Sequence, residues 1–207
     1  MFKLRIIFIS VLSALFLLLT ALIYNKSFSA FESNIYAGIA RYISPAATEI
    51  MITVSYLGSW VGITAVVLSM LIFPRGRLKF GLPIAITAVL SPMLNAALKA
   101  AVARDRPDVL RLVAEKGYGF PSGHAMNNAA LYLITTLSVL RKTANTKIRI
   151  SAITLSAIMT ASVGVSRVYL GVHNAGDVMA GWIIGAAFAL AVDTVWHKIC
   201  KKPEEVL

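Results

Sequence analysis

Six stretches of mainly apolar residues dominate this chain. Each is about as long as the 20 or so residues a helix needs to cross the hydrocarbon core of a bilayer. They run over Arg5–Tyr24, Thr48–Phe73, Phe80–Ala101, Pro121–Leu140, Ile148–Leu170 and Asn174–Ile199. Composition agrees: 58% of the 207 residues are hydrophobic and only 14% are charged. A soluble domain carries about 25% charged residues, so this chain has too little charge to be wetted on all sides. The expected fold class is all-α, an integral membrane bundle of six transmembrane helices forming a single domain over residues 1–207. The fourth stretch is broken up by polar residues, and its assignment rests on its neighbours as much as on its own hydropathy.

The apolar run from Ile6 to Tyr24 is longer than the h-region of a signal peptide, about 7–15 residues, and reads as an uncleaved first helix. Between the first two spans, Phe28, Phe31, Ile35, Ile39 and Tyr42 recur at helical spacing. This pattern fits an amphipathic helix lying in the membrane interface, or a short helix packed across the top of the bundle. The single cysteine, Cys200, excludes an internal disulfide and any CxxC metal site.

The net charge of +11 would suggest nucleic acid in a soluble protein. Here basic residues flank membrane spans, and no nucleic-acid partner is expected. With six spans both termini lie on one side. That side carries Lys3, Arg5, Arg75, Arg77, Lys79, Arg141, Lys142, Lys147, Arg149, Lys198, Lys201 and Lys202. The positive-inside rule makes it cytoplasmic. The expected location is the cytoplasmic membrane, with loops 25–47, 102–120 and 171–173 facing outward.

Three polar clusters stand near those outward ends: Lys99 with Arg104, Asp105, Arg106 and Pro107; Pro121-Ser122-Gly123-His124; and Ser166-Arg167 with His173 and Asp177. Ionisable residues at membrane depth are functional candidates by default, although any one of them alone is more simply explained by snorkelling. His173 and Asp177, four apart, share a helix face. The carboxylate can fix the imidazole tautomer and free the other ring nitrogen as nucleophile or base; taken alone, a satisfied buried pair is the simpler account. Pro121 through His124 places a proline, a hydroxyl and a glycine at a helix N-terminus, a ready phosphate site. Lys99, Arg106 and Arg167 would repel one another unless an anion sat between them, and positioned cations stabilise a phosphoryl group in transfer. Lipid headgroup contact is the competing account. Asp193 and His197, also four apart, lie at the opposite end with no cation cluster apparent beside them and read as a helix-end pair. Asn95, Asn127 and Asn128 read as interhelical hydrogen-bonding groups, and Pro92 as a kink.

Together these residues resemble the type 2 phosphatidic acid phosphatase family. Its pattern is matched by Lys99-AAVARD-Arg106-Pro107, by Pro121-Ser122-Gly123-His124, and by Ser166-Arg167-VYLGV-His173-NAG-Asp177, all within residues 99–177. Among members, the chain resembles bacterial phosphatases of phosphatidylglycerol phosphate and undecaprenyl diphosphate. The resemblance implies a membrane lipid phosphatase acting on phosphatidylglycerol phosphate, undecaprenyl diphosphate or phosphatidic acid. It implies His173 as the nucleophile, Asp177 orienting it, and His124 as acid and then base. Lys99, Arg106, Arg167, Ser122 and the Gly123 backbone would hold the phosphoryl oxygens. No metal and no cofactor are implied. A vanadate-dependent haloperoxidase shares such a site but is soluble. A non-enzymatic lipid-binding or transport protein on the same fold would not need all of His124, His173 and Asp177.

Overall fold

In a computed structural model, which describes residues 2–72 and 81–200, the chain forms eight helices among the described residues: α1 (Phe2–Tyr24), α2 (Ser29–Ala40), α3 (Pro45–Leu57), α4 (Trp60–Ile72), α5 (Leu82–Val102), α6 (Gly123–Lys142), α7 (Thr146–Tyr169) and α8 (Ala175–Cys200). Phe73 and Phe80, the expected ends of two spans, lie outside the described residues, as do Arg75, Arg77, Lys79, Lys201 and Lys202.

Local chemistry sets several helix starts. Ser44 caps α3 by accepting from the Ala47 N–H, with Pro45 at the first helical position. Asn145 caps α7 by accepting from the N–H groups of Lys147 and Ile148. The central pair is α6 and α8; α5 and α7 flank α6, and α1 packs along α8.

Among the described residues four helices, α1, α5, α7 and α8, are long and apolar enough to cross a membrane, so the expected six spans need two adjustments. α6 has the length, but Asn127, Asn128, Thr135, Thr136 and Ser138 interrupt its hydropathy. It is enclosed by neighbours, and an enclosed helix needs no apolar exterior. Its polar groups bond locally: Ser91 on α5 donates to Asn127 at 2.7 Å, and the hydroxyls of Thr136 and Ser156 meet at 2.5 Å. The expected second span, Thr48–Phe73, is two 13-residue helices, α3 and α4, broken at Gly58–Ser59. Each rises only about 20 Å and cannot span alone. The break lies against α6, where Asn128 donates to the Gly58 carbonyl at 2.7 Å and to the His124 carbonyl at 2.8 Å.

The expected amphipathic helix is α2. It lies across the end of the bundle, with Phe28 packed toward α1 and α8, and Tyr36 and Ile39 packed toward α6, α7 and α8. Phe31, Ile35 and Tyr42 remain exposed, the apolar surface an interfacial helix requires. Its most buried residue is a charged one, Glu32.

Candidate active site

All three polar clusters reach the same end of the bundle. Lys99 lies in the last turn of α5, whose C-cap, Ala103, turns the chain through a left-handed conformation with φ 48°. From there residues 103–122 cross the bundle end. Phe120, fully buried, stacks on Phe16 of α1 with ring centroids 5.8 Å apart and anchors the chain just before Pro121. Ser122 is the N-cap of α6, and its N–H donates to the Asp177 carbonyl at 2.9 Å. The Ser122 hydroxyl is fully buried and has no hydrogen-bond partner among the described residues.

His173 sits in the short link between α7 and α8 and is 3% exposed. Its Nδ1 is 3.7 Å from Asp177 Oδ2, an approach longer than a hydrogen bond. Its Nε2 lies 3.3 Å from Arg106 Nη1. Asp177 Oδ2 accepts from the Asn174 N–H at 2.8 Å, and Oδ1 accepts from Arg104 Nη1 at 2.5 Å. Burial, the largest influence, pushes the His173 pKa down to about 4; Asp177 opposes this, while Arg167 and Arg106 add to it. The imidazole is therefore neutral at ordinary pH and can act as a nucleophile.

The three expected cations come together, but not as free forks. Arg106 donates to the carbonyls of Gly117, Lys116 and Val172 at 2.9–3.0 Å. Lys99 Nζ donates to the Tyr118 carbonyl. Arg167 Nη1 donates to the Ser55 hydroxyl at 2.5 Å, which ties the α3 end to the site, and Arg167 Nη2 pairs with Glu115. Glu115 also lies 3.6 Å from Arg106. One carboxylate thus bridges two of the cations, where an incoming phosphoryl group would have to compete with it. Burial opposes ionisation of Glu115, but Arg167, and then Arg106, outweigh it and hold its carboxyl below the usual carboxylate range.

His124, one residue into α6, lies within electrostatic range of Arg167, Glu115, His173 and Arg106. Gly123 also has a packing role. A Cβ there would come within 2.9 Å of Asn95 Oδ1 on α5, so the missing side chain allows close α5–α6 packing. From Gly123, His124 and Asn127 a groove of about 460 Å³ opens between α4, α5 and α6; Ile63, Val67, Ala88 and Val89 are among its apolar walls.

The PAP2 superfamily profile matches residues 80–200. Over 187 residues the chain is 30% identical to phosphatidylglycerophosphatase B of Bacillus subtilis, covering 89% of this chain and 92% of that one. The chain belongs to the PAP2 superfamily. It is also 32% identical over 158 residues to an undecaprenyl-diphosphatase of Sulfolobus acidocaldarius, covering 72% of this chain and 69% of that protein. The crystal structure of a transmembrane PAP2-type phosphatidylglycerolphosphate phosphatase from Bacillus subtilis superposes with a TM-score of 0.84 at 27% identity, covering 93% of this chain and 98% of that one. Aquifex aeolicus LpxE shares the fold, with a TM-score of 0.63 at 22% identity over 77% of this chain and 92% of that one.

In this PAP2 protein four residues at the site escape the motif reading. Ser55, Glu115, Arg104 and Glu32 all bond to motif residues or to their partners. Arg104, grouped from sequence with Lys99, Asp105, Arg106 and Pro107, is engaged by Asp177 and Glu32. Glu32 left a sequence signal of its own: it is a carboxylate within the apolar stripe of α2, four residues after Phe28 and three before Ile35. At the opposite end, Asp193 is not a simple helix-end residue. It pairs with Arg5 of α1 at 2.8 Å and with Arg141 of α6.

Proposed function

We propose that the chain is a metal-independent lipid phosphatase that removes the terminal phosphoryl group of lipid phosphates through a phosphohistidine at His173. The observation that carries this reading is His173 Nε2 directed at Arg106, 3.3 Å from its Nη1, beside Lys99 and Arg167. His173 Nε2 attacks phosphorus while the bond to the leaving oxygen breaks. His124 gives that oxygen a proton. Lys99, Arg106, Arg167, the Ser122 hydroxyl and the Gly123 N–H hold the equatorial oxygens, displacing Glu115, and offset their developing charge. Water, losing a proton to His124, then attacks phosphorus, the P–N bond breaks, and phosphate leaves. Asp177 steadies the imidazole as it becomes cationic. Its carboxylate is engaged by Arg104 and Asn174, which supports a reaction without a metal.

The substrate is a phosphate or diphosphate on a long apolar tail; phosphatidylglycerol phosphate, undecaprenyl diphosphate and phosphatidic acid are the candidates. The groove leading from His124 between α4 and α5 gives the tail an apolar path beside the site. Holding the tail there avoids moving it into water, at about 0.8 kcal/mol per methylene. The names of the Bacillus and Sulfolobus relatives favour phosphatidylglycerol phosphate and undecaprenyl diphosphate. The site faces outward from the cytoplasmic membrane, and both termini are cytoplasmic.

Phosphate release by the purified chain tests the reading, with these three lipids and a soluble aryl phosphate compared in excess EDTA. We expect kcat/KM to be far higher for the lipids, full activity in EDTA, and strong inhibition by vanadate, which mimics the five-coordinate transition state. Loss on chelation that magnesium restores removes the metal-free step. Equal turnover of the soluble ester removes the lipid specificity. No release from any lipid removes the enzyme.

A further inference from the structure

A carboxylate that orients a histidine nucleophile is useful through its negative charge, because the imidazole becomes positive as it takes the phosphoryl group. Asp177 has a guanidinium directly on it: Arg104 Nη1 donates to Oδ1 at 2.5 Å. Arg104 alone would hold Asp177 in place and cancel most of its charge. The structure provides a second carboxylate. Glu32 reaches Arg104 from α2 with both oxygens, Oε1 at 3.0 Å from Nη1 and Oε2 at 2.7 Å from Nη2. The side chains of Glu32 and Asp177 are 6% and 0% exposed, so water does little to screen the chain. Asp177, Arg104 and Glu32 together keep one net negative charge, facing His173. Lys99 and Arg106 also act on Asp177 electrostatically, from the side that would hold phosphate.

α2 is brought this close by a particular residue. A Cβ on Gly176, in the first turn of α8, would come within 2.5 Å of Glu32 Oε1 and 2.9 Å of Ile23 Cδ1 on α1. Glycine there lets α1 and the buried face of α2 seat against the residue next to Asp177. Glu32 itself lies outside residues 80–200, the segment matched by the superfamily profile.

We propose that Glu32 and Arg104 are positioning residues for the reaction: Arg104 fixes the Asp177 carboxylate, and Glu32 neutralises Arg104 so that Asp177 keeps its charge for His173. The α2 helix is on this account part of the active site, as well as a membrane-facing element. The proposal rests on the phosphohistidine reading above.

The test measures kcat and KM for a lipid diphosphate with the full-length chain in detergent, using wild type, His173→Ala, Glu32→Gln, Arg104→Gln, the Glu32→Gln/Arg104→Gln double variant and Gly176→Ala. Glu32→Gln keeps an acceptor for Arg104 and removes only charge. Its kcat falls about tenfold, equivalent to about 1.4 kcal/mol in the barrier, with KM within about twofold because Lys99, Arg106 and Arg167 are untouched. Arg104→Gln leaves two buried carboxylates without a cation and loses more. The double variant removes that imbalance and recovers kcat above Arg104→Gln when both are compared per folded enzyme, so that rescue of folding alone does not count. Gly176→Ala lowers kcat without removing any polar group. The proposal is overturned if folded Glu32→Gln keeps kcat within twofold of wild type, if its loss lies in KM alone, or if the double variant is no better than Arg104→Gln. Should Arg104→Gln fail to fold, Glu32→Gln and Gly176→Ala decide. Failure of the underlying reading is separate: it appears as an inactive wild type or an active His173→Ala.

Discussion

His173 and His124 stand in different surroundings and carry different expectations. With Nε2 facing Arg106 and Nδ1 facing Asp177, His173 is placed for attack, and no other imidazole shares that placement. His173→Ala is expected to abolish phosphate release. His124→Ala should be severe on a monophosphate and milder on a diphosphate, because a phosphate leaving group needs less help from an acid than an alkoxide does. Steady-state kinetics on both substrates check the pair. The titration of His173 is a second expectation. An ordinary histidine is protonated below about pH 6.5, whereas burial lowers His173 to about 4. Between those values the unfolded chain takes up a proton that the folded site refuses, so this residue withdraws stability as pH falls. The chain has three histidines, few enough to resolve by 15N NMR. His173 should keep neutral-imidazole shifts at pH 5.5.

At the scale of elements, an ionic clasp joins the far end of the bundle. Asp193 on α8 is fully buried and binds Arg5 of α1 and Arg141 of α6, both partly exposed. Asp193→Asn should lower stability by about 2 kcal/mol, the range of a hydrogen bond to a charged group. Thermal unfolding in detergent reads this, and kcat should be unchanged because the clasp lies away from the site. The groove between α4 and α5 gives a converse expectation. Val89 lines it and is exposed, so Val89→Trp fills it without disturbing the core. KM for a long-tailed lipid should rise about tenfold, or ~1.4 kcal/mol, while turnover of a soluble aryl phosphate stays as in wild type.

For the whole molecule the prediction concerns direction across the membrane, with the site outward and both termini cytoplasmic. The site-bearing end carries the 103–122 loop, and the opposite end carries the α6–α7 turn. Single cysteines in a Cys200→Ser background read the orientation: Lys116→Cys should react with an impermeant reagent in intact cells, and Ala144→Cys only after permeabilisation. The reverse pattern would place the site inside, facing cytoplasmic rather than exported lipid phosphates.

Much of this was legible along the chain. Long apolar runs declared α1, α5, α7 and α8 because a bilayer demands continuous apolar length, and fixed motif spacings named Lys99, Arg106, Ser122, His124, Arg167, His173 and Asp177. Hydropathy could not see the break at Gly58–Ser59, where Asn128 reaches in from another helix to the Gly58 carbonyl. Nor could it separate enclosed α6 from a lipid-facing span. The roles of Glu115, Ser55, Arg104 and Glu32 were beyond spacing rules for the same reason. Glu32 and Asp177 are 145 positions apart in sequence and meet only through Arg104. The charges themselves are written in the sequence; which of them neutralise one another is decided when packing removes water from between them.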